Sequence, residues 1–223
     1  MFLLLSIPSA FICFMLTERN YGWTSFIPPM LAGALAAMVV CFIKAFFIFS
    51  GHLYTEQFLH NMLYLLLHDT LLPVVLCTAF FACISKDGAD YKAAAVFPLA
   101  GAFFAVAVPF GVLTGAERSA PFLLFVKPVL MAAMAAAVSA LARMACSAVA
   151  KGSKVLCAPL LAAALLCLAV PPALETAWYL QYAAWKWLPA AAVFTAAAVL
   201  LQLIAPRTLP APAAAESAET NSN

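Results

Sequence analysis

The stretch "HLYTEQFLHNMLYLLLHDTLLPVVLCTAFFACIS", His52–Ser85, decides how this chain is threaded. Its second half is almost wholly apolar. Its first half carries all three histidines of the chain, His52, His60 and His68, in a four-residue step with Glu56 and Tyr64. Two readings compete. In one, a helix begins near Phe58 and runs to Ile84, taking His68 and Asp69 to membrane depth. In the other, residues 52–69 lie at the interface and the span begins at Leu71. The second leaves about 15 apolar residues, short against the roughly 17–25 of a spanning helix. The full crossing is therefore the expectation, and Asp69 is the residue to explain. A charge in the hydrocarbon costs about 2.5–3.5 kcal/mol on insertion scales. Protonation, or pairing with Lys44, Lys127 or the adjacent His68, would relieve that cost.

Outward from this stretch the chain reads the same way. Of its 223 residues 67% are hydrophobic and only 9% charged, against about 25% charged in an ordinary soluble domain. Mean hydropathy is +1.05. Seven apolar segments are legible, at roughly 2–17, 28–49, 58–84, 93–113, 121–142, 155–174 and 188–205. Lipid offers no partners for backbone N–H and C=O groups, so each segment must be a helix that satisfies its own. The alternating ten-residue segments of a membrane barrel are absent. The expected fold is an all-α integral membrane bundle of about seven transmembrane helices over residues 1–205. A tail at 206–223, rich in Pro, Ala, Ser and Glu, lacks the apolar residues to pack and is expected to be disordered.

Charge sets the expected orientation. Arg19, Lys86, Lys92, Arg143, Lys151, Lys154 and Arg207 fall in the odd-numbered connections and the tail, whereas Arg118 and Lys186 are all that the even ones hold. The positive-inside rule then places the N-terminus outside and the C-terminus in the cytoplasm. "MFLLLSIPSAFICFML" has no Lys or Arg n-region and no clear A-x-A site, so it reads as a retained first span. Small size and short loops point to the plasma membrane of a bacterium. A net charge of +2 without a basic block speaks against nucleic acid as a partner. The expected partners are the lipid bilayer and a membrane-protein subunit. Seven cysteines lie mostly in apolar runs, and none form CxxC. They read as small buried hydrophobes.

Small residues recur at four-residue spacing, Gly33 with Ala37 and Ala132 with Ala136 and Ala140, a pattern that lets helices approach closely in lipid. Prolines at 73, 98, 109, 128, 159, 171 and 172 fall inside spans and each removes a helical hydrogen bond.

The polar groups gather in the outward half. Lys44 and Lys127 lie at equal depth, roughly 9 Å below the outer boundary at 1.5 Å per residue. The candidate substrate or ion pathway is Lys44, His60, His68, Asp69 and Lys127. Residues four apart share a helix face, so His52, Glu56 and His60 form an alternative, metal-binding set. Glu175 opens the sixth connection, where Trp178, Tyr179, Tyr182, Trp185 and Trp187 read as an interfacial aromatic belt.

Three functional classes remain open. The first is a small transporter, or membrane subunit of a transport complex, with an outward-half polar cavity. The second is an intramembrane enzyme using Glu56 and His60. The third is an assembly protein docking a partner through its helix faces. The chain has no Glu-Glu pair of glutamic intramembrane proteases, no HExxH, no Walker A and no GxSxG. No cofactor is legible.

Overall fold

The computed structural model describes residues 10–11, 23–47, 55–84, 88–113 and 122–206. Within them every regular element is a helix. In chain order these are α1 (Trp23–Phe47), α2 (Phe58–Leu65), a π-helical segment (Leu66–Leu71), α3 (Leu72–Ile84), α4 (Ala89–Leu113), a second π-helical segment (Phe122–Val126), α5 (Lys127–Ala150), α6 (Lys154–Tyr179) and α7 (Ala184–Ile204). The expected first span, 2–17, lies outside the described residues apart from helical Ala10 and Phe11, as does the tail from Arg207 onward.

Among the described residues, five helices are long and apolar enough to cross a membrane: Phe58–Ala79, Tyr91–Phe110, Lys127–Ala150, Lys154–Tyr179 and Ala184–Ile204. In α1 the apolar stretch Ile27–Phe42 is shorter. Their length and composition support a membrane location. The stretch that opened the question runs as one helix from Phe58 to Ile84, without a break at Leu71; a π turn followed by Pro73 is a combination that bends a helix.

The bend has a cause in the sequence. Pro73 has no N–H to offer the carbonyl four residues back, Asp69, and its ring crowds that carbonyl. The π segment ends two residues before Pro73, and Asp69 lies inside it. The same relation recurs at Pro128, whose fourth preceding residue, Leu124, lies in the second π segment. A π turn widens the helix and absorbs the conflict. The other helix prolines, such as Pro98 and Pro109, sit in α-helical backbone.

The bent helix also changes partners along its length. α2 and the π segment pack on α6, whereas α3 packs on α1 and α4. α5 is the central element, flanked by α4, α6 and α7. Its small-residue face sits at the core: Ala132, Ala136 and Ala140 are fully buried. On α1, Gly33 approaches α4 so closely that a Cβ built there would lie 2.2 Å from the Leu99 carbonyl oxygen. Ala37, one turn on, is fully buried in the same core. Both small-residue pairs read from the sequence are thus contact surfaces between helices.

One polar residue falls where the sequence reading does not put it. Arg143 was expected in the fifth connection, but α5 continues to Ala150 and Arg143 is 1% exposed inside the bundle. Its Nη2 donates to Gln202 Oε1 of α7. Gln202 Nε2 in turn donates to the Ala136 carbonyl at 2.9 Å. Four residues before Arg143, Ser139 Oγ donates to the Ala93 carbonyl of α4 at 3.0 Å. A polar seam therefore ties α5 to α4 and α7 in the half of the bundle nearest the α5–α6 turn. The positive charge of that turn rests on Lys151 and Lys154. Gln202→Leu, which removes both the Arg143 acceptor and the Ala136 donor, should lower stability by about 1.5–3 kcal/mol. Gln202→Glu, which keeps an acceptor, should lose less. Unfolding of the three proteins in mixed micelles measures this, and equal stabilities would show the seam to be energetically silent.

Candidate functional site

The beginnings of α2, α5 and α7 and the end of α6 meet in one apolar cluster. Phe122, Leu130, Leu174, Ala177, Trp187 and Ala191 form it, with Phe58 and Trp178 packed on its edge. Phe122 stacks on Trp178 at 4.9 Å and meets Trp187 edge-on at 5.4 Å. Trp187 Nε1 donates to the Tyr182 carbonyl at 3.1 Å. The expected aromatic belt is therefore divided. Trp178 and Trp187 turn inward, while Trp185 is exposed with Lys186 over its ring at 5.6 Å.

Beside this cluster, Lys127 Nζ donates to Glu175 Oε1 at 3.0 Å, with side chains only 3% and 6% exposed. The reading of Glu175 as a loop residue is corrected here: α6 runs through Tyr179, so Glu175 stands inside it. Lys127 likewise does not snorkel to the interface; it opens α5 directly after the second π segment, and its ammonium turns inward. Both charges are out of water, and each serves the other as a counter-ion. Thr176, also fully buried, spends its hydroxyl on the Pro172 carbonyl at 2.8 Å. That carbonyl is one that the prolines of this helix do not disturb, since residue 176 supplies an ordinary N–H.

The second charged pair lies on the bent helix. His68 Nδ1 and Asp69 Oδ1 are 2.8 Å apart, both side chains 23% exposed. Of the three partners expected for Asp69, this contact is with its own neighbour. Tyr64 stacks on His68 at 5.1 Å between ring centres, so the four-residue ladder is real at that step. The pair sits in the π segment at the point where the helix passes from α6 to α1 and α4. Asp69 therefore brings two oxygens of interest: its carboxylate, and a carbonyl whose usual donor has been replaced by Pro73. The adjacent Thr70 is fully buried, and its Oγ1 has no hydrogen-bond partner among the described residues. This is where the bundle concentrates polar capacity inside a spanning helix.

The remaining expected site residues are placed as follows. His60 is exposed in the first turn of α2. Glu56 is exposed just before that helix, where Asn61 holds the chain: Thr55 N donates to Asn61 Oδ1 at 3.0 Å and Asn61 Nδ2 donates to the Thr55 carbonyl at 2.6 Å. Lys44 belongs to α1, but its side chain lies outside the description, and His52 lies outside the described residues altogether. Among the described residues, no three His, Cys, Asp or Glu side chains converge as a metal site requires. Sequence reasoning named Glu175, but as a loop residue, and missed Asn61 and Gln202. Of the three only Glu175 carried a signal, as an acidic residue directly after the apolar segment that ends near 174.

No protein-family model matches this chain, nor does any curated protein or solved structure. The class that the fold itself defines is an all-helical protein with helices suited to crossing a membrane and, among the described residues, the charge pairs His68–Asp69 and Lys127–Glu175.

Proposed function

We propose that this chain is a multi-pass bacterial plasma-membrane protein that transports a small solute, alone or as the membrane subunit of a transport complex. In this reading seven helices cross the bilayer, the N-terminus faces outward and the C-terminus lies in the cytoplasm. The observation that carries it is the His68–Asp69 pair, 2.8 Å apart in a π-helical stretch of a spanning helix. Ionisable groups at membrane depth are costly and mark ion or substrate pathways. Pi-helical turns are frequent at functional sites. Asp69 binds the coupling cation or proton, His68 shares its charge, and the bend lets α2 move on α6 while α3 stays packed on α4. Lys127–Glu175, between α5 and α6, is the second and more deeply buried charge pair.

The test is electrical. The purified protein is reconstituted into liposomes and challenged with a panel of amino acids, sugars, carboxylates, phosphate and metal cations on a solid-supported membrane. At least one solute should evoke a transient current in the wild type that falls to the empty-liposome level in Asp69→Asn. A current unchanged in that variant would remove the site. Silence of the folded wild type across the panel, with a second membrane protein co-purifying, would favour the partner-docking role instead.

A further inference from the structure

Between α3 and α4 the helices leave a cavity of about 220 Å³, lined by Thr78, Phe81, Lys92, Ala93, Val96 and Leu99. A void of about 10 Å³ shares Thr78, Val96 and Leu99 with it and reaches Phe103 and Phe104. None of these residues belongs to the charge pairs described above.

The lining is chemically one-sided. Thr78 turns its hydroxyl onto its own helix, with Val74 and Val75 carbonyls at 2.7 Å and 3.1 Å, so the cavity meets its methyl group. Phe81, Ala93, Val96 and Leu99 are apolar. Lys92 is the one charged side chain among the lining residues. It stands one turn into α4, at the end where residues 85–88 connect the two helices. There the rings of Phe81 and Tyr91 come within 6.3 Å. A greasy cleft with a cation at its interfacial end is the complement of a lipid: a hydrocarbon chain in the cleft and an anionic headgroup at the mouth. Basic positions between spanning helices recognise anionic headgroups in this way, and a lysine stem can lie along apolar walls while its ammonium reaches the interface.

We propose that the α3–α4 cleft is a binding site for one anionic glycerophospholipid, its acyl chain along Phe81, Val96 and Leu99 and its phosphate on Lys92. A zwitterionic lipid offers the same chains but brings its own ammonium to Lys92. The lysine is therefore what makes the site selective.

Native mass spectrometry of the detergent-purified protein, titrated with dioleoyl phosphatidylglycerol or dioleoyl phosphatidylcholine, tests this. The wild type should retain one phosphatidylglycerol at about fivefold lower concentration than phosphatidylcholine, the discrimination expected of one interfacial lysine. Lys92→Gln should abolish the preference, Lys92→Arg should keep it, and Lys154→Gln, which is not among the cleft's lining residues, should leave it intact. Val96→Trp, which fills the cleft, should weaken retention of both lipids. Equal retention of the two lipids by the wild type would overturn the proposal, as would a preference that survives Lys92→Gln. If Val96→Trp does not fold, the Lys92 pair alone still decides.

Discussion

Glu175→Ala should destabilise the folded protein by about 3–5 kcal/mol, the cost of removing one partner from a buried ion pair. Lys127 would keep its position in the bundle but lose the carboxylate 3.0 Å away. The surroundings, Phe122, Leu130 and Leu174, offer no replacement acceptor from their side chains. The double variant Lys127→Met/Glu175→Leu removes both charges and fills the space with hydrocarbon. It should recover most of the loss, within about 1 kcal/mol of the wild type or above it, because neither charge then needs desolvating. Reversible unfolding in mixed micelles reads both numbers. A single variant as stable as the wild type would mean that water reaches the pair. A double variant that folds well yet carries no current would assign the pair to the transport cycle rather than to stability.

Gly33→Ala should be the most damaging glycine-to-alanine change among the described residues. The added Cβ would meet the Leu99 carbonyl oxygen at 2.2 Å, and that atom is backbone. It cannot rotate away; α1 must lift off α4. Overpacking of this kind costs about 1–3 kcal/mol, sometimes more. Gly101 makes the contrast. A Cβ there would meet the Phe11 ring at 2.6 Å, and a ring at the end of a side chain can turn. Gly88 has open space, so Gly88→Ala should change stability by no more than about 0.5 kcal/mol. Thermal unfolding in detergent should rank the three variants Gly33→Ala, Gly101→Ala, Gly88→Ala from most to least damaging. Parity between the first and the last would show that α1 is not held against α4 at this point.

How far the residues alone reached can be seen at Asp69 and Arg143. Asp69 stood out because a carboxylate in an apolar run is costly wherever the helix lies, and its neighbour His68 was one of three partners considered. Pro73 already marked the Asp69 carbonyl as one without its usual donor. What periodicity could not reveal was the widened π turn, since that is a compromise between the proline and the packing of α2 on α6 and α3 on α1 and α4. Arg143 was misread for a different reason. Near a segment end, a cation reads as a loop residue unless a partner is known, and Gln202 is 59 residues away. The Lys127–Glu175 pair, 48 residues apart, was hidden in the same way.

By itself the sequence determined the helical class, the approximate limits of the five helices long and apolar enough to cross a membrane, and the small-residue faces at Gly33, Ala37, Ala132, Ala136 and Ala140. These follow from local rules: backbone groups need partners in lipid, apolar run length must match the bilayer, and a missing side chain permits close approach. Only the tertiary structure decided which charges are paired, which aromatics turn inward and where a cleft remains between helices. Those depend on contacts between residues distant in the chain, and no local pattern encodes the identity of a partner on another helix.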